Sequence, residues 1–191
     1  MRTGSDRNPK GNVMTENTRV EPEALPDVTG AWTLDPRRTT IRFQTKSMWI
    51  RTVNGTMHAS EGGGAVDGNG HVAGRLVIDA TSIDTKNKRR DAHLRNADFF
   101  DVQKYPTMVF EVADVRLDGP GRCTVEGTLT IRDVARAVEF PGALRMDGNG
   151  SVTIDAHVEI DRGKWGMGWA MMGASRHNHV AVEATFVRRD A

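Results

Sequence analysis

The sequence has little of what identifies several large classes of protein. Its 26 lysine and arginine residues nearly balance its 25 aspartate and glutamate residues, so the net charge is only +1. So small a charge gives no electrostatic reason to expect a nucleic acid or an anionic membrane as the main partner. The one cysteine, Cys123, cannot form an internal disulfide, and nothing in the sequence requires an oxidising compartment.

The first 29 residues contain no apolar run that resembles a signal peptide or a membrane-spanning helix. They are polar and include proline and glycine, so they have little apolar surface to offset the entropy of ordering them. We therefore expect residues 1–29 to be a disordered tail, residues 30–191 to form one domain, and the protein to be cytoplasmic. Met14 is a second candidate for the start of translation, and neither start changes the domain.

After the tail, apolar and polar residues alternate along most of the chain, as they do in a sheet with one buried face. The clearest run places Cys123, Val125 and Leu129 on one face, and similar runs bring the total to about eight strands. Only one helix is indicated, from Asn87 or Lys88 to Asn96, and it is too short and too charged to cover an open sheet. The sequence therefore predicts an all-β protein, a closed antiparallel barrel of about eight strands with one short helix.

Glycine-rich segments are typical of the reversals between strands. Four such segments are present: Asp67 to Gly70, Asp147 to Gly150, Gly62 to Gly64, and Asp118 to Gly121. Ser82, Asp84 and Thr85 precede the helix and are candidates for its N-terminal cap. The expected topology is a series of hairpins.

The side chains that alternation places inside the barrel include no titratable group. Catalysis by general acids and bases would need carboxylates or histidines at these positions, so the pattern favours binding. Five inward residues are small, namely Gly55, Gly74, Gly127, Ala156 and Ala184. They either make room for a ligand or only relieve crowding in a packed core, and alternation alone leaves both interpretations open.

The segment from Gly163 to His179 is unusually rich in tryptophan and methionine for a loop. Such residues suit an adaptable apolar rim over a ligand, or a plug that closes one end of the barrel. Both interpretations place the segment over the interior.

Polar candidates outside the interior are few. His177 and His179 are spaced as half of a metal site, but no Asp, Glu or Cys has matching spacing, so we expect solvated histidines and no metal. Ser175 beside His177 lacks the sequence of a nucleophile elbow. A basic cluster consists of Lys86, Lys88, Arg89, Arg90 and Arg95. It is a solvated helix face, or it meets an anionic head group at the mouth of the barrel.

The stretch from Ile78 to Val112 closely resembles the signature of the YceI-like polyisoprenoid-binding family. The matching positions are Ser82, Thr85, Asn87, Arg90, Asp91, His93, Leu94, Asp98, Phe99, Phe100, Tyr105, Pro106 and Phe110. The resemblance extends from Trp32 past the Trp165 to Met167 segment and covers residues 30–188. It implies a lipocalin-like barrel with a long apolar pocket for an isoprenoid chain, such as a polyprenyl lipid or the tail of an isoprenoid quinone.

The sequence departs from the family pattern mainly in loops. Asp133 to Ala135 stands in place of a Gly-Val-Thr turn, whereas the basic residue that follows is kept as Arg136. Ser175 to His179 replaces a Gly-Asp approach to the last strand. These departures bear on the choice of head group more than on the fold.

Together, the alternation and the resemblance predict non-catalytic binding and carriage of a long isoprenoid lipid or quinone. The expected lipid contacts are Phe43, Val53, Met57, Leu76, Ile78, Phe99, Met108, Phe110, Leu129, Ile131, Phe140, Ile154, Trp165, Met167, Trp169 and Met171. No metal, further cofactor, nucleic acid or stable membrane insertion is expected, and a homodimer is left open. Two alternatives remain: a barrel enzyme acting on an isoprenoid or polyketide through His93 or His177, and a stress-related module with a filled interior.

Overall fold

A computed structural model describes residues 27–48, 50–169 and 173–189. The strands are β1 (Gly30–Leu34), β2 (Thr40–Ser47), β3 (Arg51–Val66), β4 (Val72–Asp84), β5 (Thr107–Gly119), β6 (Arg122–Ile131), β7 (Val134–Met146), β8 (Val152–Asp161) and β9 (His177–Arg188). One α-helix, α1 (Lys88–Arg95), and two short 3-10 turns, Pro36–Arg38 and Arg162–Trp165, complete the described elements.

The nine strands form one antiparallel sheet that closes on itself. β1 and β2 both lie between β3 and β9, with β1 beside the end of each strand and β2 beside the beginning. The two therefore share one position in a wall of eight positions, and each of the others pairs with its neighbours in the sequence. The predicted all-β barrel of about eight strands with one short helix is confirmed.

Three of the four predicted reversals are turns between strands. In the β3–β4 turn, the Asp67 carboxylate accepts hydrogen bonds from the backbone N–H groups of Asn69 (2.8 Å) and His71 (2.9 Å). Gly70 has a φ of 81°, a left-handed value that glycine adopts without steric cost. Asp147 to Gly150 forms the equivalent β7–β8 turn, and Asp118 to Gly121 connects β5 to β6.

The prediction of a reversal at Gly62 to Gly64 is wrong, because these residues lie inside the unbroken strand β3. A Cβ atom on Gly63 would lie 2.6 Å from the carbonyl oxygen of Trp32, and one on Gly64 would lie 2.5 Å from that of Ala73. The glycines therefore allow neighbouring backbones to approach closely, which is a second use of glycine within strands.

Helix α1 has the predicted bounds but a different cap. The side chain of Asn87 accepts a hydrogen bond from the backbone N–H of Arg90 (3.0 Å) and caps the helix. The predicted caps Ser82 and Asp84 lie within β4. Thr85 instead holds the helix from the side, since its backbone N–H and its hydroxyl both donate to the carboxylate of Asp91.

The two ends of the barrel differ in structure. We call the end that carries α1, the β2–β3 hairpin and the connection from β8 to β9 the helix end. The opposite end carries the β3–β4 and β7–β8 hairpins. A buried cluster that includes Ile83, Ile131, Trp165 and Met167 packs near the helix end. Cys123, near the opposite end, is buried as expected, and burial raises the pKa of its thiol.

The N-terminal approach to β1 runs against the barrel. Arg188 of β9 donates hydrogen bonds to the carbonyl oxygens of Thr29 (2.7 Å) and Asp27 (2.9 Å), and the Trp32 indole N–H donates to Val28 (2.8 Å). The rest of the expected tail lies outside the described residues. The division of the chain at residue 30 stays a prediction.

Candidate functional site

A cavity of about 990 Å³ occupies the interior of the barrel. Its wall continues from Trp32 and Val66 near the opposite end to Arg89 and Trp169 at the helix end. The volume is at the upper limit of the range usual for small-molecule sites. The barrel therefore encloses a ligand-sized space, and the hypothesis of a filled interior does not fit it.

Most of the expected lipid contacts lie in the wall of this cavity. They are Phe43, Val53, Met57, Leu76, Ile78, Phe99, Met108, Phe110, Leu129, Ile131, Phe140, Ile154, Met167 and Trp169. Trp165 does not line the cavity, because it is buried beneath the wall with its indole N–H donating to the carbonyl of Leu129 (3.0 Å). Met171 lies outside the described residues. Contact between any of these residues and a lipid stays a prediction.

The small inward residues fall into two groups. Gly55 and Gly127 are covered by aromatic rings, since a Cβ atom at either position would collide with Phe43 or Phe110. These two glycines relieve crowding, which is one of the two interpretations the sequence left open. Gly74, Ala156 and Ala184 instead line the cavity and leave space within it.

The polar residues of the wall gather at the helix end. They are Thr45, Lys46, Ser47, Asn87, Arg89, Arg90, His93, Arg162, Ser175 and Asn178, whereas Arg75 lies further along the wall. No aspartate or glutamate is among the described residues that line the cavity. One end of an otherwise apolar cavity therefore has a positive potential, which favours a negative or electron-rich group there.

Arg90 is held in place by the segment before α1. Its guanidinium donates to the hydroxyl of Thr85 (2.7 Å) and to the carbonyl of the same residue (2.9 Å). The Thr85 hydroxyl in turn donates to the buried carboxylate of Asp91 (2.5 Å). Arg89, the next cation in the wall, is exposed and makes no side-chain hydrogen bond to the part of the protein that the structure describes.

Arg162 organises the chain between β8 and β9. Its guanidinium is buried and donates to the carbonyl oxygens of Met167, Trp169 (2.5 Å) and Ser175 (3.0 Å). Burial lowers the pKa of Arg162, but the ordinary value of arginine is so high that the group stays protonated at neutral pH. The buried guanidinium thus joins the first part of this connection, at Met167 and Trp169, to its last part, at Ser175.

Aromatic side chains close part of the same end. The ring of His93 meets those of Phe99 (5.1 Å between centroids) and Trp169 (4.7 Å) edge to face. Its Nε2 lies 3.1 Å from a carboxylate oxygen of Asp98. The Arg162 guanidinium lies 5.2 Å from the centre of the Phe99 ring, a cation–π distance. The expected position of this segment over the interior is therefore observed at Met167 and Trp169.

Comparison with protein-family models gives one assignment. The model of the YceI-like domain matches residues 32–187, which include all but the edges of the barrel. The chain belongs to the YceI-like family.

Among curated relatives, a UPF0312 protein of Yersinia pestis (strain Pestoides F) is 31% identical over 111 residues, 57% of each chain. One from Vibrio vulnificus (strain YJ016) is 31% identical over 109 residues, 54% of this chain and 58% of the relative. The chain therefore aligns with less than two thirds of each relative's length.

Solved structures of low sequence identity share the fold of this YceI-like protein. BcnA of Burkholderia cenocepacia superposes with a TM-score of 0.70 at 19% identity, covering 80% of this chain and 98% of BcnA. A polyisoprenoid binding domain from Saccharophagus degradans gives a TM-score of 0.67 at 13% identity, covering 83% and 98%. These similarities support the barrel alone.

Several residues of the family signature have clear positions in this YceI-like barrel. Asn87 caps α1, Thr85 and Asp91 fasten the helix to the barrel, and Arg90 joins that network at the cavity wall. Tyr105 donates a hydrogen bond to the carboxylate of Asp133 (3.0 Å) and connects the α1 segment to the β6–β7 turn. The signature thus builds the helix end of the cavity.

The histidines near the start of β9 lie outside the cavity. His177 Nδ1 is 3.0 Å from a carboxylate oxygen of Glu159, and both side chains are exposed. His179 borders a separate surface groove beside His157. The hydroxyl of Ser175 donates to the carbonyl of His177 (3.1 Å), so serine and imidazole do not form a nucleophile and base. The described residues contain no cluster of three or more His, Cys, Asp or Glu that would suit a metal ion.

Sequence reasoning missed Arg162 and Lys46 as residues of the cavity wall. Arg162 follows an aspartate at the end of a strand, where an exposed ion pair is the ordinary expectation, and no periodic pattern marks its burial. Lys46 has the opposite parity to the inward residues Ile41 and Phe43 of β2, so alternation predicts that it faces outward. Within the described ranges, the protein has no helix of the length and hydrophobicity needed to cross a bilayer.

Proposed function

We propose that this YceI-like protein binds one long isoprenoid lipid inside its barrel and carries it without chemical change. The observation that supports this function is the cavity itself, an apolar space along the barrel with polar and cationic residues at one end only. An amphiphile with a long chain and a small head has the same distribution of polarity.

The chain of the lipid would occupy the apolar part of the cavity, between Phe140, Ile154 and Phe186. Each five-carbon unit that leaves water contributes about 4 kcal/mol before the costs of ordering and association are subtracted. Such walls select chain length by fit and tolerate chemical variation in the chain. A polyprenyl lipid and an isoprenoid quinone both satisfy this part of the site.

The head of the lipid would lie at the helix end, beside Lys46, Arg89 and Arg90. These cations and the absence of carboxylates from the described wall favour a phosphate head over an alcohol, because a charged acceptor roughly doubles the strength of a hydrogen bond. Arg89 is the best placed of the three, since the guanidinium of Arg90 already bonds to Thr85.

Similarity adds support of a limited kind. The Saccharophagus degradans neighbour is described as a polyisoprenoid binding domain implicated in plant cell wall breakdown, and its fold matches over most of both chains. We transfer the class of ligand from that neighbour and not its biological role. The cytoplasmic location and the homodimer also stay predictions.

A barrel enzyme is the second candidate, and one residue favours it. His93 lines the cavity and its ring lies beside Asp98 (3.1 Å), the kind of carboxylate that orients a catalytic base. His177, the other proposed base, faces solvent on the outer wall. Turnover of a bound isoprenoid that disappears in His93→Gln, with lipid content unchanged, would establish this candidate.

The test of carriage is denaturing extraction of the purified protein followed by mass spectrometry of the released lipid. Leu129→Glu would place a carboxylate in the apolar wall, so we expect a loss of at least tenfold in bound lipid per barrel. Thr130→Glu is the matched control, because Thr130 follows Leu129 in β6 and does not line the cavity.

Circular dichroism of both variants establishes that the barrel has formed. Equal lipid content in the wild-type protein and in a folded Leu129→Glu variant would contradict an internal site. A solvent extract without any lipid, from protein purified after mild lysis, followed by failure to take up a polyprenyl phosphate, would reject the proposed function.

A further inference from the structure

The tip of the β2–β3 hairpin exposes large apolar side chains. Ile50 is 82% exposed and Met48 is 49% exposed, the two highest values among the large apolar residues that the structure describes. Trp49 stands between them in the sequence. Single exposed apolar residues are ordinary on protein surfaces, whereas neighbours at the tip of one hairpin indicate a contact surface.

The backbone at this tip adopts a conformation that its residues do not favour. Met48 has a φ of 52°, in the left-handed region that glycine and asparagine adopt more readily than a bulky residue. The backbone N–H of Ile50 donates to the carbonyl of Met48 (2.8 Å) and closes a tight turn. The hairpin thus has an apolar side chain where a turn residue would fit with less strain.

The hairpin projects from the barrel wall. Its last pair with β9 joins Thr45 to Asn178, and the last pair between β3 and β4 joins Thr56 to Asp84. Beyond Thr45, the described residues of the β8–β9 connection provide one backbone hydrogen bond to the hairpin, from the N–H of Ser175 to the carbonyl of Lys46 (2.8 Å). The tip therefore stands clear of the neighbouring strands.

The same hairpin forms part of the mouth of the cavity. Lys46, Ser47 and Met48 all line the cavity, and Met48 is among the exposed large apolar residues. A surface that binds the hairpin tip is thus continuous with the entrance to the apolar interior.

Cations flank the apolar tip. Lys46 and Arg51 lie on its two strands, and Lys88 and Arg89 begin α1 at the same end of the barrel. None of the four forms an ion pair with a carboxylate of the described residues. Although the whole chain has a net charge of only +1, this end therefore presents local positive charge beside an apolar projection.

We propose that the β2–β3 hairpin docks on the surface of a bilayer that contains anionic lipids. The apolar tip would enter the interface between head groups and acyl chains, and the flanking cations would contact anionic head groups. The surface area of a hairpin tip is much smaller than the roughly 800 Å² that each partner contributes to a stable protein interface, so a bilayer suits the tip better than a protein partner does. Because the hairpin adjoins the mouth of the cavity, docking would allow lipid to pass between the bilayer and the barrel. This role in lipid transfer rests on the proposed function, whereas the docking itself does not.

The test is flotation of the purified full chain with vesicles of equal parts phosphatidylcholine and phosphatidylglycerol, compared with vesicles of phosphatidylcholine alone. We expect stronger association with the anionic vesicles. Ile50→Ser should weaken it about tenfold, the effect of exposing one large aliphatic side chain. Arg51→Gln should weaken it about fivefold, the effect of one cation near an anionic surface.

Matched controls come from the opposite end of the barrel. Met146→Ser removes an exposed apolar side chain there, and Arg122→Gln removes an exposed cation, so both should associate like the wild-type protein. Equal association of Ile50→Ser and wild type, or equal weakening by Met146→Ser, would overturn the proposal. Failure of the wild-type protein to float with either vesicle would also overturn it and leave a protein as the partner of the hairpin.

Lipid content, measured by extraction of the same preparations, separates this proposal from the proposed function. Wild-type lipid content in Ile50→Ser with weakened flotation supports docking and leaves the internal site intact. Flotation that depends on Ile50 in a protein that binds no isoprenoid supports docking and rejects carriage.

Discussion

Phe110 of β5 lies across Gly127 of β6, so that a Cβ atom on the glycine would lie 2.6 Å from the phenylalanine ring. The same Cβ atom would collide with the backbone carbonyl of Glu111. The ring of Phe110 also meets that of Phe140, with centroids 5.6 Å apart. Gly127 thus fixes the position of an aromatic pair that narrows the cavity.

Gly127→Ala should therefore destabilise the protein, because its methyl group meets backbone that cannot turn away. We expect a loss of about 1 to 3 kcal/mol in the free energy of unfolding, the usual cost of overpacking. The measurement is urea unfolding followed by circular dichroism.

Gly55→Ala is the matched comparison for Gly127→Ala. The three atoms nearest to a Cβ atom at Gly55 all belong to the far end of the Phe43 ring, which can move toward the cavity. We expect a loss of less than about 1 kcal/mol at this position. Equal losses in the two variants would contradict the distinction between backbone and side-chain contact.

The barrel was predictable from sequence because alternation and turn chemistry are local. Val125, Leu129 and Ile131 point to the interior as their spacing predicts, and the two Asp-Gly-Asn-Gly segments form turns. Glycine has several uses, however, and the local sequence does not distinguish them. At Gly63 and Gly64 the deciding neighbours are the backbones of Trp32 and Ala73, which are not adjacent in sequence.

The candidate site was predictable on its apolar side only. Alternation identifies inward positions such as Ile154 and Phe140, and the family resemblance favours a pocket over a packed core. The polar end depends on the connection from β8 to β9 folding back onto α1, which no period in the sequence describes. No pattern in the sequence therefore marks Arg162, whose guanidinium is buried among backbone carbonyls.

Arg162→Leu should loosen the connection between β8 and β9. The substitution leaves the carbonyl groups of Met167, Trp169 and Ser175 without a charged donor, so we expect a loss of about 3 kcal/mol or more in stability. Arg162→Lys keeps the charge but cannot reproduce the planar fork, and it should recover only part of the loss. Hydrogen exchange at Met167 and Trp169 measures the local effect, and full recovery by lysine would show that charge alone matters.

Asp161 should contribute to stability in a pH-dependent way. The backbone N–H of Gly163 (2.9 Å), and then Arg176, hold the pKa of Asp161 below its ordinary value of 3.8. The ionised group therefore stabilises the fold above that value, and the contribution is lost as the pH falls through the lowered pKa.

Urea unfolding of the wild-type protein and Asp161→Asn measures this contribution. At about pH 7 the variant should be the less stable of the two, and the difference should shrink as the pH falls below 3.8 and through the lowered pKa of Asp161. A difference that is independent of pH would show that Asp161 acts through hydrogen-bond geometry and not through its charge.

Arg89→Gln should change which isoprenoid the cavity prefers. If the exposed guanidinium contacts a phosphate head, its loss should weaken binding of a polyprenyl phosphate about tenfold, since a charged hydrogen bond contributes about 1.5 to 3 kcal/mol. Binding of the corresponding polyprenol should change little, because an alcohol has no formal charge to pair. Competition between the two lipids for the purified protein, read by mass spectrometry, measures the ratio of bound polyprenyl phosphate to bound polyprenol.

Arg37→Gln, on the 3-10 turn that follows β1, is the control and should leave this ratio unchanged. An unchanged ratio in Arg89→Gln would remove this residue from the head-group site and leave the apolar cavity as the basis of binding.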